Sequence, residues 1–97
     1  MEELAALPAA GIASYERVTR MDFPTVVREL KEQLGAKLVT YIAGVGEARA
    51  VRQWSSGERE PRQDIPARLR IALRAALVLS ESEGPGVAQA WFQGLNP

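Results

Sequence analysis

The sequence predicts an all-α fold, a small bundle of short helices, and three observations support it. Apolar residues recur every three to four positions, which places them on one face of a helix. Glycine and proline divide the chain into short segments, and no segment alternates apolar and polar residues as a half-buried strand does. A chain of 97 residues has the length of one domain with one core.

The first clear helix is predicted over residues 24–34. Asp22 suits its N-cap, Pro24 its first turn and Gly35 the position after its last turn. Four apolar residues at helical spacing predict its buried face: Val26, Val27, Leu30 and Leu34.

Two shorter helices are predicted next, over residues 37–43 and from residue 47 to 54 or 55. The glycines at positions 44 and 46 separate them. The second one has apolar residues at every third position, which indicates a buried face: Val45, Ala48, Val51 and Trp54. Residues 55–63 are polar and contain glycine and proline, so we expect a loop there.

The longest helix is expected to start after Asp64 and to reach about Ser82. Its second half is apolar nearly all round, which is typical of a helix that is central or covered by a partner. Residues 84–86 end this helix, and a last helical segment is predicted over residues 87–93. Of the two adjacent aromatic residues there, we expect Trp91 to lie in the core and Phe92 either in the core or in an interface.

The N-terminal segment, residues 1–22, is harder to interpret. Residues 4–7 can form a turn of helix that stops near Pro8 and Gly11, and Ser14 can cap a short helix that ends at Arg20. Packing, dimerisation and partial disorder all remain open for this segment.

The composition argues against an enzyme. The chain has no Cys and no His, which removes thiolate chemistry, a histidine base and the usual zinc ligands. We expect no cofactor and no metal, and we interpret Tyr15 and Tyr41 as packing residues. No apolar run is long enough for a membrane span, and the acidic N-terminus does not resemble a secretory signal, so the predicted location is the cytoplasm.

Charge is unevenly distributed, although the net charge is zero. Residues 36–74 carry eight basic and four acidic side chains, which gives +4, whereas residues 1–35 and 75–97 each give −2. A central basic segment between acidic flanks can face an anionic partner, but it can equally be ordinary surface charge.

A helix, a glycine-containing turn and a second amphipathic helix within residues 38–61 form the pattern of a helix-turn-helix. In such a motif the second helix presents its polar face to the major groove. Arginine can bind both guanine acceptors and glutamine can pair with adenine, while hydroxyl and basic groups beside them contact phosphates. The predicted DNA-binding residues are Arg49, Arg52, Gln53, Ser55, Ser56 and Arg59, with Arg62 as a further flanking residue.

Beyond this general pattern, the chain resembles a known family. Trp54 followed by Ser-Ser-Gly57 and then Pro61 is similar to the end of Xre/Cro repressor domains. The order of AGVGEARAVRQWSSGEREPR, IPARLRIALRAALVLSESEG and VAQAWFQGLNP resembles antitoxins of the MbcA/ParS/Xre type. The resemblance covers roughly residues 23–97. Within it, Val51 and Trp54 match the buried positions of the second motif helix.

This resemblance implies that two parts of the chain have different functions. An Xre-like helix-turn-helix would occupy residues 23–63, and a helical region that binds a RES-domain toxin would occupy residues 64–97. Such toxins degrade NAD; the antitoxin blocks their active site, and the complex represses its own operon. In the family the pattern continues past the Asn-Pro step at Pro97, so we expect the last toxin-binding element to be missing from this sequence.

The apolar part of the long helix and the last segment supply the predicted interface with the toxin or with a second copy in a homo-oligomer. The residues are Ala75, Val78, Leu79, Trp91 and Phe92. Two other functions remain open: a free-standing Xre-like repressor of transcription, and an interaction module that has lost DNA binding. The second is favoured by acidic residues near the predicted DNA surface, namely Glu47, Glu58 and Glu60.

Overall fold

The computed structural model describes residues 9–94, without the side chains of residues 9–12 and of Pro85. All regular structure in this range is α-helical, and the range contains no strand. The helices are α1 (Ala9–Arg20), α2 (Phe23–Leu34), α3 (Ala36–Ala43), α4 (Ala48–Ser55), α5 (Asp64–Glu83) and α6 (Pro85–Gly94). The predicted all-α fold is confirmed, and the helices pack into a small bundle.

α2 begins and ends close to the positions that the sequence predicts. The Asp22 carboxylate accepts a hydrogen bond of 3.1 Å from the Thr25 backbone N–H, and Pro24 lies in the first turn. At the other end Gly35 has a φ of 88°, and its N–H donates to the Lys31 carbonyl oxygen at 2.9 Å. The whole predicted stripe is buried: Val26, Val27, Leu30 and Leu34.

α1 differs from its prediction, because Gly11 does not stop it and Ser14 does not cap it. The helix runs through both positions, and the Ser14 hydroxyl donates a 2.8 Å hydrogen bond to the Glu81 carboxylate of α5. Contact with α5, including the fully buried Val18, stabilises helix at residues whose intrinsic helix preference is low. The turn predicted over residues 4–7 lies outside the described residues.

The core lies between α2 and α5. α2 packs against α3, α4, α5 and α6, and α5 packs against α1, α2, α3 and α6. The buried residues of α5 are Ile65, Leu69, Ala72, Leu73, Ala76 and Leu77. α5 is central, as its composition predicts, but its opposite side is uncovered, since Ile71 is 64% and Val78 41% exposed. Neither α5 nor another helix within residues 9–94 has the length and apolarity needed to cross a membrane.

α6 corrects the assignment of the two adjacent aromatic residues. Phe92 is only 7% exposed and shares a buried face with Ala88, whereas Trp91 is 52% exposed. The prediction that Trp91 lies in the core is therefore wrong. Successive residues on a helix point about 100° apart, so only one of the two rings can face inward, and the spacing to Ala88 selects Phe92.

Candidate functional site

α4 is anchored to the bundle through one narrow face. Val51 is fully buried and Trp54 is 2% exposed, as predicted, and the Phe23 ring of α2 meets Trp54 edge-on at a centroid distance of 6.0 Å. The prediction that Ala48 shares this face is wrong, because Ala48 is exposed and Ala50 is buried instead. Three residues rotate the side chain by about 300°, which is about 60° short of a full turn. Residues at a strict three-residue spacing therefore move progressively away from the buried face.

The turn between α3 and α4 is held in place by backbone and arginine contacts. Gly44 has a left-handed φ of 75°, and its N–H lies 3.1 Å from the carbonyl oxygens of Thr40 and Tyr41. The Arg68 guanidinium of α5 donates to the Ala43 carbonyl oxygen at 3.3 Å, and its other terminal nitrogen lies 3.0 Å from the Asp64 carboxylate. These bonds fix the end of α3 and therefore the direction in which α4 begins.

The outer side of α4 carries the arginines that the sequence predicts for DNA contact. Arg49 and Arg52 are exposed, and neither guanidinium group makes a hydrogen bond or an ion pair within the described part of the chain. Gln53 is half-buried, and its side-chain oxygen accepts a 3.4 Å hydrogen bond from Arg59. We call the surface formed by Arg49, Arg52 and Gln53 the α4 outer face.

A groove of about 420 Å³ runs along this surface. It brings Arg49 and Gln53 of the α4 outer face together with Arg59 of the following loop. Its remaining lining residues are Val45, Gly46, Glu47 and Ala50. Three of the predicted DNA-binding residues therefore line one concave, polar surface.

The two serines after Trp54 have different environments. Ser55 is 9% exposed, and its hydroxyl donates to the Arg52 carbonyl oxygen at 2.8 Å, so its predicted place on the DNA-contacting surface is wrong. Ser55 is drawn inward because it ends the buried face of α4. Ser56 is exposed, and its hydroxyl lies 2.9 Å from the Glu58 carboxylate, so a phosphate would have to displace that contact.

Arg28 is a residue of this region that the sequence did not single out. Its guanidinium donates one hydrogen bond of 2.7 Å to the Ser55 carbonyl oxygen and another of 3.0 Å to the Thr25 hydroxyl. It therefore ties the C-terminal end of α4 to α2. Arg28 and Ser55 are 27 positions apart, and no local pattern in the sequence links them.

Acidic residues lie close to the α4 outer face. Residues 47–62 carry four arginines and three glutamates, which leaves a single net positive charge. Glu58 accepts a hydrogen bond from Ser56, and Arg62 lies 3.8 Å from Asp64. An anionic ligand would therefore be attracted by Arg49 and Arg52 locally, and only weakly by the region as a whole.

The predicted interface residues of α5 and α6 differ in their exposure. Ala75 and Leu79 are partly buried against the core, while Val78 is 41% and Trp91 52% exposed. Phe92 is buried, so its predicted place on an interaction surface is wrong; its ring packs edge-on against Trp91 at 5.0 Å between centroids. The sequence did not single out Ile71 as exposed, because it lies in the apolar part of the long helix, between Leu69 and Leu73.

Within residues 9–94, no group of three or more His, Cys, Asp or Glu side chains is placed to hold a metal ion. The geometry thus offers a polar face on α4 and apolar surfaces on α5 and α6. No protein-family model, curated protein or solved structure matches the chain.

Proposed function

We propose that the chain is a DNA-binding antitoxin: α3 and α4 form an Xre-like helix-turn-helix, and α6 contributes to binding of a RES-domain toxin. The observation that carries the DNA-binding part is the state of Arg49 and Arg52. Both are exposed on α4 and their guanidinium groups have no partner within the described residues, while Val51 and Trp54 are buried on the opposite side of the helix.

The geometry supports α4 as the recognition helix. A recognition helix must be braced on one side and must present long polar side chains on the other. Arg49 and Arg52 have the guanidinium groups that bind the two acceptors of a guanine edge. Arg59 lines the same groove and is suited to a phosphate. The fixed turn at Gly44 and the Arg28 contact with Ser55 set the orientation of α4.

Binding to the DNA upstream of the chain's own gene tests this part. We expect the Arg49→Ala and Arg52→Ala variants each to weaken specific binding by about 10- to 100-fold, as expected for loss of a base contact. Affinity should also fall as salt rises, because phosphate contacts release counterions. Arg20→Ala is the matched control, since Arg20 is an exposed arginine of α1 and its loss changes the net charge equally. Equal affinities for all three variants would contradict the assignment of α4.

The toxin-binding part rests on the family resemblance and on the exposed aromatic residue of α6. Trp91 is 52% exposed, and Val87, four residues earlier on the same helix face, is 40% exposed. Exposed tryptophan is enriched among the residues that dominate protein interfaces. α6 carries no charged residue, so a partner could cover this surface without burying an unpaired charge.

Co-expression with the product of the neighbouring gene tests this second part. A stoichiometric complex and preserved cellular NAD are expected, and Trp91→Ala should weaken both. Tyr15→Ala is the control, because Tyr15 is an exposed aromatic residue on α1. If operator binding is tight but no neighbour copurifies or is neutralised, the chain is a free-standing repressor. The observation that favours this second candidate, the free-standing repressor, is the α4 outer face, because a repressor needs no toxin-binding surface.

A further inference from the structure

An uncovered apolar stripe runs along α5 on the side away from the core. Ile71 and Val78 are its most exposed large residues, at 64% and 41%. Ala75, four residues after Ile71, lies at the edge of this face, where its small side chain is partly buried against the core. The α5 stripe is defined by Ala67, Ile71, Ala75, Val78 and Ser82, and none of these residues is charged.

The stripe is suited to a contact that excludes water. Its only hydroxyl group, that of Ser82, donates a 2.7 Å hydrogen bond to the Val78 carbonyl oxygen. Covering it would therefore leave no donor unsatisfied. The arginines beside the stripe bond to uncharged oxygens of α1, Arg70 to the Val18 carbonyl at 2.7 Å and Arg74 to the Thr19 hydroxyl at 2.9 Å, and these bonds do not neutralise their charges.

The charges of α5 indicate what covers the stripe. Residues 64–74 carry three arginines and one aspartate, which gives +2, and residues 75–83 carry two glutamates, which gives −2. Two copies of α5 in parallel would bring like charges together, whereas two antiparallel copies bring the basic half of each against the acidic half of the other. Antiparallel helices also oppose their macrodipoles favourably.

We propose that the α5 stripe binds a second copy of this chain, antiparallel, with the two-fold axis near Ala75. In this register Ile71 of each copy lies opposite Val78 of the other, and Ala67 lies opposite Ser82. The small side chain of Ala75 permits close approach at the axis, and the contact closes on itself as a two-fold interface does. Only the use of this dimer, to present α4 twice to a palindromic operator, rests on the proposed function.

Single cysteines test the register, because the natural chain has none. Antiparallel pairing predicts that Ala75→Cys forms a disulfide-linked dimer on oxidation. It also predicts that Ile71→Cys and Val78→Cys cross-link with each other when mixed and not with themselves. Parallel pairing predicts instead that Ile71→Cys and Val78→Cys each link with themselves and not with each other. Ala48→Cys, exposed on α4, measures the background of random collisions. Self-linked Ile71→Cys dimers without mixed products would overturn the proposal.

Sedimentation without DNA or toxin tests the dimer itself, so its failure is separate from failure of the proposed function. The natural chain is expected to be a dimer. Ile71→Glu and Val78→Glu should raise the dissociation constant by about 100-fold or more, because each buries two unpaired carboxylates at the interface. Ala48→Glu should leave it unchanged, and helical circular dichroism checks that all variants fold. A monomeric natural chain, or dimers of unchanged affinity in both stripe variants, would refute the proposal.

Discussion

The Arg28 guanidinium donates a 2.7 Å hydrogen bond to the Ser55 carbonyl oxygen, and this contact joins α2 to the last turn of α4. A helix leaves its last carbonyl groups without helical partners, and a positive charge there also suits the helix dipole. Arg28 is therefore a positioning residue for α4, although it lies on a different helix from Arg49 and Arg52.

Removing this contact should loosen α4. We expect Arg28→Ala to lower the free energy of unfolding by about 1 kcal/mol, since a charged donor to a partly buried carbonyl is lost. Urea unfolding measures the effect. Arg17→Ala is the control, because the Arg17 guanidinium makes an exposed 3.4 Å pair with Glu29, and its loss should cost less than about 0.5 kcal/mol. Equal costs for the two variants would show that the bond to Ser55 contributes nothing particular.

Gly44 should be the least replaceable residue of the turn between α3 and α4. Its φ of 75° is unfavourable for other residues, and an added Cβ would lie 3.1 Å from the Arg68 guanidinium. We expect Gly44→Ala to cost about 1–2 kcal/mol in thermal or urea unfolding. Gly46→Ala is the matched control two residues later, because an added Cβ there meets nothing within 4 Å. A larger loss at Gly46 would contradict this description of the turn.

Truncation of the two adjacent aromatic residues of α6 should lower the free energy of unfolding by very different amounts. Phe92 is 7% exposed, so Phe92→Ala should cost about 3 kcal/mol of unfolding free energy. Trp91 is 52% exposed, so Trp91→Ala should cost only about 0.5–1 kcal/mol, mostly from its edge-on contact with Phe92. Chemical denaturation of both variants decides the matter. If the larger loss followed Trp91→Ala, the two rings would have been assigned the wrong way round.

These residues also show what the sequence could predict. Glycine, proline and capping residues act locally, so α2, with Asp22 at one end and Gly35 at the other, is predicted almost to the residue. Helical spacing also predicts that Val51 and Trp54 are buried. Placing Arg49 and Arg52 on the opposite side follows from the same periodicity.

The remaining features depend on contacts between distant parts of the chain. Ser14 looks like a cap in the sequence, but the Glu81 carboxylate, 67 positions away, binds its hydroxyl within a continuous helix. Arg28 and Ser55 meet only after α2 and α4 pack together. Ile71 and Leu73 are equally apolar in the sequence, and only the arrangement of the neighbouring helices leaves Ile71 exposed. Local patterns carry no information about such pairs.

Acid should weaken α2 at its N-cap. Hydrogen bonds from Thr25, from its side chain first and its backbone N–H second, hold the pKa of Asp22 below its ordinary value of 3.8. A lowered pKa means that the charged carboxylate stabilises the folded state. This stabilisation is fully present above pH 3.8 and is lost as the pH falls through the lower folded pKa.

Urea unfolding of the natural chain and of Asp22→Ala as a function of pH tests this expectation. The natural chain should be the more stable near neutral pH, and the difference should shrink once the pH is below 3.8. Asp22→Asn is the control, since an asparagine can cap the helix without a titrating group, so the cap's contribution should not depend on pH there. A difference between the natural chain and Asp22→Ala that stays constant through the acid range would mean that the carboxylate charge does not stabilise α2.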